Sequence, residues 1–278
     1  MAEFAALTGL FPAERPPRRY LWTDAFAVCN FLGLYSSTGD RRWRQLALEL
    51  VGQVHTVLGR HRSDDQRIGW ISGLDEDQGR LHPTKGGLRI GKEVNERGTG
   101  DSPDDQLEWD RDGQYYHYMT KWMHALHQVS RVVGESVYHR WATELAKTVH
   151  ARFTYRTPSG NQKRMYWKMS IDLSHPLVPS MGHHDPLDGL VTYLQLQTAA
   201  AEDFPGSPEL DLGREISELI QMCQGKDWVT DDFLGSGELL SSTYKLAQVI
   251  GREGKNVEVI EYVEFLEMLL DASLVSLR

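Results

Sequence analysis

Cysteine is nearly absent from this 278-residue chain: only Cys29 and Cys223 occur. They lie far apart, each inside an apolar helical pattern, so two buried free thiols are expected rather than a disulfide, and no Cys-rich metal spacing exists. Positive charge is also scarce, with 30 Lys and Arg against 39 Asp and Glu and a net charge of -9. The basic runs Arg15–Arg19 and Arg41–Arg44 are too short to form a nucleic-acid surface, which needs clustered cations. No apolar run reaches the roughly 18 residues of a membrane span. Met1–Leu10 lacks the basic flank of a signal peptide, so a cytoplasmic location is the default expectation. No phosphate-binding loop, dinucleotide fingerprint or Gly-x-Ser-x-Gly elbow is found, so no cofactor is expected.

Aromatic residues are plentiful. Eight Trp, eleven Tyr and eight Phe in a chain that is 40% apolar exclude disorder. Their spacing is helical. Trp22, Phe26, Cys29 and Leu32 share one face, and Thr38-Gly39-Asp40 forms a turn with Asp40 as N-cap. Trp43, Ala47, Leu50, Val54 and Val57 mark a second helix ending at Gly59. A helix from Tyr115 to Gly134 and its partner from Tyr138 to Phe153 repeat the pattern. Leu187–Leu194 pairs with Leu212–Cys223, where Ser207-Pro208 reads as a helix start, and a last pair runs over 237–250 and 257–274 around the turn 251–254. Helices joined by a few residues pack antiparallel. The expected fold is therefore all-α, a single domain over residues 1–278 of repeated helical hairpins.

Two stretches break this rhythm. Residues 60–110 are rich in Gly and charge, and a connection so much longer than the usual four to six residues reads as an insert or a lid. Residues 154–183 carry a Pro158-Ser159-Gly160-Asn161 turn between short β-prone runs, which predicts a small β-hairpin.

Helix pairs lined with Trp and Tyr, a Thr-Gly-Asp turn ahead of an aromatic residue, and long loops at one end resemble the (α/α) toroid proteins. The resemblance rests on Trp22–Leu58, above all Leu34-Tyr35-Ser36-Ser37-Thr38-Gly39-Asp40, on Trp109–Ala146, and more weakly on Trp228–Ile250. That superfamily includes six-hairpin glycosidases, unsaturated glucuronyl hydrolases, polysaccharide lyases and the N-acylglucosamine 2-epimerase group. It implies a carbohydrate or oligosaccharide ligand. Four hairpins are legible here where the closed ring has six, so an incomplete ring would leave apolar faces for the inserts or a second subunit to cover.

Candidate site residues follow from acidic groups beside Trp or His near helix starts: Asp24 after Trp22, Asp110 and Asp112 after Trp109, Asp185 and Asp188 after His183-His184, and Asp231 and Asp232 after Trp228. Each also suits helix capping. Asp112 and Asp185 are the candidate pair for glycoside hydrolysis, one carboxyl protonating the leaving oxygen while the other activates water or attacks the sugar. His117 and His184 are the candidates for the alternative, sugar epimerisation by proton transfer beside a carbonyl. Trp22, Asp24, Trp70, Trp109, Asp110, Gln114, Tyr115, His183, Trp228 and Asp232 are the candidate substrate-binding residues. Gln114, His117, Lys121 and His124 would form one polar stripe on a helix. A non-catalytic scaffold that binds a glycan or protein is the third reading. No metal is expected at His183-His184-Asp185, because adjacent residues do not share a face.

Overall fold

Glycine and aspartate punctuate the helices where the sequence places them. In the computed structural model, which describes residues 1–98, 100–102, 104–158, 160, 162–253 and 258–277, α1 spans Ala2–Leu7, α2 Leu21–Thr38 and α3 Arg41–Leu58. Gly39 closes α2 at φ 70°, a left-handed conformation that costs glycine little, and the Asp40 side chain accepts a hydrogen bond from the Arg42 N–H to open α3. Helices α6 (Tyr116–Val133) and α7 (Ser136–Phe153) are split by Gly134 at φ 76°. These pairs pack as hairpins, α2 with α3 and α6 with α7, and α2 also packs on α6.

The chain divides into two compact units. The first comprises Met1–Thr154 with Tyr166–Ser180, the second Tyr155–Met165 with Met181–Arg278. In the second, α8 (Asp185–Asp203) packs on α9 (Gly213–Cys223) and on α10 (Phe233–Glu253), and α10 on α11 (Glu258–Ser276). Ser207 makes no capping bond: Pro208 opens a single 3₁₀ turn, and α9 begins later, at Gly213. Helix α10 continues through Gly251–Glu253, while the rest of the expected turn, 254–257, lies outside the described residues.

The expected β-hairpin is present as β2 (Thr154–Arg156) beside β3 (Lys163–Met165), with Ser159 and Asn161 of its turn outside the described residues. The remainder of that stretch does something else. β4 (Lys168–Met169) lies between β1 (Gln114–Tyr115) and β5 (Pro176–Val178) in an antiparallel three-stranded sheet of the first unit. Gln114 therefore belongs to a strand, and the polar stripe of α6 begins only at His117.

The core stripe of α2 is also offset from expectation. Leu21, Ala25, Val28 and Leu32 are buried, whereas Phe26 is 45% exposed and Trp22 and Cys29 are half-buried. Cys223 is buried, and both thiols are free.

Residues 60–110 contribute Trp70, Ile71, Leu88 and Ile90 to the core of the first unit. The Trp70 ring lies under the Arg60 guanidinium, 4.4 Å from its centre, and against the short helix α4 (Glu76–Leu81) at Gly79. A Cβ at Gly79 would stand 2.2 Å from Trp70 Cδ1, so only glycine allows this approach. Gly79→Ala is expected to destabilise the protein by about 1–3 kcal/mol through overpacking, read as a lower urea midpoint. An unchanged midpoint would mean that the indole has room to shift.

Candidate functional site

The N-terminal ends of α2 and α6 bring together a cluster of rings in the first unit. Tyr20 and Tyr115 occupy the N-cap positions of the two helices in extended conformation. Neither side chain makes a capping hydrogen bond. Tyr20 and Tyr118 share a hydrogen bond between hydroxyls at 2.6 Å, with their rings edge to face. Trp22 lies 5.0 Å from Tyr118 and 5.8 Å from His117 between ring centres. Tyr115 is 5.3 Å from His117, 5.2 Å from Tyr118 and 5.1 Å from Trp167.

Pairing of β1 with β4 sets Tyr115 opposite Lys168 and so delivers Trp167 to the cluster. Trp167 is nearly parallel to His117 and edge-on to Trp109 at 5.1 Å. Trp109 is 56% exposed, and Trp22, His117, Tyr118 and Trp167 are half-buried. The result is a wet-faced aromatic platform with an imidazole and phenols within it. Burial pushes the Tyr115 and Tyr118 phenols above their ordinary range, and the Tyr20 hydrogen bond raises Tyr118 further, so both remain proton donors at neutral pH. Lys121 Nζ lies 6.0 Å from the Trp22 ring centre.

Below the platform, Lys168 is fully buried. Its ammonium donates to the Glu108 and Arg111 carbonyls at 2.5 and 2.9 Å and pairs with the Glu108 carboxylate at 3.4 Å. Burial lowers its pKa, opposed by Glu108.

Asp112 has another environment. Oδ2 accepts from Arg89 at 2.6 Å and from Arg62 at 3.2 Å, and Oδ1 accepts from the Gly91 and Gly113 N–H groups at 2.9 and 3.0 Å. Every oxygen of this carboxylate is committed to holding chain segments together. Gln114 is likewise buried and internal: its amide donates to the Gly86 and Ile171 carbonyls and accepts from the Leu88 N–H. Trp70 is in the core, and Asp110 is exposed at the last residue of the short helix α5, Asp105–Asp110.

Asp24 reaches back to the Tyr20 N–H at 2.9 Å and faces Arg19 at 3.7 Å. Both side chains are buried, and desolvation outweighs their attraction. It lowers Arg19 and pushes Asp24 up to about 7, against the pull of Arg19 and the Tyr20 hydrogen bond.

The second unit holds its own cluster. His184 stacks on Trp228 with centres 6.1 Å apart, His183 lies 4.6 Å from His184, and Lys226 Nζ is 5.4 Å from the Trp228 centre. Lys226 donates to the His183 carbonyl at 3.0 Å. Burial, with His183 nearby, lowers the His184 pKa and keeps its imidazole neutral. Asp185 and Asp188 are buried in the first turn of α8, and Asp185 lies against Gly182, where a Cβ would sit 2.5 Å from Oδ2. Asp232 caps α10 by accepting from the Gly235 N–H at 2.6 Å. Of the expected pairs, Asp112 and His117 belong to the first unit and Asp185 and His184 to the second.

Tyr20, Tyr118, Trp167 and Lys226 escaped the sequence reading. Tyr118 had a signal in the run Tyr115-Tyr116-His117-Tyr118; Trp167 had none, because its place depends on a strand pairing. Among the described residues no group of three His, Cys, Asp or Glu could hold a metal ion. No family model matches the chain, and comparison with curated proteins finds no matching relative.

Two substitutions separate structural carboxylates from reactive ones. Asp112→Ala strands Arg89 in the interior and is expected to cost about 3–5 kcal/mol, seen as a large fall in urea midpoint before any assay of activity. For Asp24, the unfolded chain ionises near pH 3.8 while the folded chain keeps its proton to about pH 7. The folded state binds more protons across that window, so this group makes stability fall as pH rises through it. Asp24→Asn should remove that fall, measured as the wild-type minus variant difference in urea midpoint from pH 4 to 8. A difference that is flat with pH would contradict the raised pKa.

Proposed function

We propose that this chain is a carbohydrate-active enzyme, with an (α/α) toroid-like arrangement of its helical pairs, that binds a sugar ring on the half-buried rings of Trp22, His117, Tyr118 and Trp167, backed by the buried Tyr115. The observation that supports this reading is the partial exposure of ordered rings at helix starts. Aromatic faces match the apolar C–H faces of a pyranose, while phenol and imidazole groups satisfy its hydroxyls. A loose apolar patch offers the first without the second.

For the chemistry, proton transfer by His117 is favoured over paired-carboxylate cleavage within the first unit. His117 sits in the platform, and Asp112 is bound by two arginines and two backbone N–H groups. A base at His117 would remove a proton beside a sugar carbonyl, with a neutral phenol hydrogen-bonded to the developing oxyanion. Glycoside hydrolysis remains the second reading, supported by Asp185 and Asp188 buried beside the His-Trp cluster of the second unit.

Proton NMR in heavy water, with amino sugars, uronides and oligosaccharides as probes, distinguishes the two. Deuterium uptake beside the carbonyl-bearing carbon, abolished in His117→Gln, is the expected result. New anomeric signals, lost in Asp185→Asn and kept in His117→Gln, would transfer the chemistry to the carboxylates. Trp22→Ala should weaken sugar binding about tenfold, the loss of one stacking contact; undiminished binding would remove the platform from the reading.

A further inference from the structure

An open pocket of about 430 Å³ adjoins the platform, within the size range of small-ligand sites. Its lining is drawn from residues 17–20, from Val57, Leu58 and Arg89, and from residues 91–93. Tyr20 belongs to both places: it lines the pocket, and its hydroxyl bonds Tyr118 of the platform.

The pocket is basic in a chain whose net charge is -9. Arg18, Arg19, Arg89 and Lys92 line it, with Glu93 as the one carboxylate among the lining residues. These cations are not equivalent. Arg89 is spent on Asp112 and on the Val57 and Arg60 carbonyls, and Arg19 is spent on Asp24 and the Thr8 and Arg18 carbonyls. These bonds fix both guanidiniums in the lining. Arg18 is tethered to Glu93 by one exposed ion pair at 3.1 Å, worth little in water. Lys92 is half-buried with its ammonium 5.6 Å from the Tyr20 ring centre, and it makes no ion pair among the described residues. Its charge lies over an aromatic face and is not neutralised by a carboxylate among the described residues.

We propose that this pocket is an anion subsite, in which Lys92, assisted by Arg18, binds a carboxylate or phosphate carried by the sugar on the platform. The proposal rests on the platform reading for the identity of the ring, and on the pocket alone for the charge. A singly charged carboxylate and a doubly charged phosphate share the required chemistry: oxygens that accept from an ammonium and a guanidinium.

Calorimetric titration of the full chain with glucose, glucuronate, glucose 6-phosphate and inorganic phosphate tests it. One or both acidic sugars should bind at least tenfold more tightly than glucose, and the tighter of the two identifies the anion. Lys92→Gln should erase roughly tenfold of that preference and leave glucose binding unchanged, Lys92→Arg should retain it, and added salt should weaken only the acidic probes. Equal affinity for glucose and both acidic sugars, or an acidic preference that survives Lys92→Gln, would overturn the subsite. So would no binding of any charged probe. Inorganic phosphate bound by wild type and lost in Lys92→Gln, with every affinity unmoved by Trp22→Ala, would keep the subsite and discard the platform.

Discussion

A buried carboxylate must be neutralised where it stands, and in this protein Asp112 organises the loops around that requirement. Its four accepted hydrogen bonds come from Arg62, Arg89, Gly91 and Gly113. Those donors are drawn from separate parts of the chain, so satisfying one side chain fixes several backbones at once. Arg89 and Arg62 extend the effect by donating to the carbonyls of Val57, Arg60, Lys92 and Glu93. From this frame Ile90 accepts the Leu21 N–H at the start of α2 and donates to the Gly113 carbonyl just ahead of β1. The helix starts that carry Tyr20, Trp22 and Tyr115 are thus positioned from the same anchor.

Charge pairs of the same formal kind take opposite roles here because of how they are solvated. Asp112 has two guanidinium and two amide donors at hydrogen-bond distance. Asp24, equally buried, has one amide donor and an arginine 3.7 Å away. Both carboxylates are buried, and they differ in the number of good donors that reach them. Asp112 is an anchor, whereas Asp24 is held near the point of losing its proton. A sequence places both beside a tryptophan in the same manner and cannot distinguish them.

Most of the helical frame was legible because periodicity and caps are local. Gly39 and Gly134 close helices in the left-handed conformation, Asp40 opens one with its side chain, and Gly59 ends α3 at an ordinary negative φ. The errors have a common origin. The face of α2 carrying Trp22 and Phe26 is apolar in composition, yet it is the Leu21–Ala25–Val28–Leu32 stripe that is buried. A hydrophobic pattern alone does not say whether an aromatic face is core or ligand surface. Residues 60–110 have no period because polar contacts between distant residues order them, such as Arg67 with Asp65, Glu96 and Asp172. Trp70 and Gln114 looked like ligand contacts for the same reason; Trp70 packs on Arg60 and Gly79, and Gln114 bonds the backbone of Gly86, Leu88 and Ile171. The platform was half legible: Trp22, Tyr115 and His117 could be read from sequence, while Trp167 and Tyr20 enter through strand pairing and helix packing.

Exposure of apolar rings does not by itself specify a ligand. Phe233, Leu234 and Tyr244 along α10 are more open than any ring of the platform, and Phe233 and Tyr244 make no ring contact among the described residues. The platform differs in order. Each ring is held by at least one other, Tyr115 is backed by the buried Lys168 ammonium, and the polar atoms within reach are a phenol pair and an imidazole. Holding rings in place while leaving their faces wet forgoes hydrophobic stabilisation that closer packing would supply. In the proposed reading, a ligand with both apolar and hydroxyl-bearing faces would offset that loss by covering the rings, and a rigid platform would lower the ordering cost of binding it. The same frame that neutralises Asp112 therefore also holds the helix starts that carry the rings, which ties the order of the platform to the stability of the first unit.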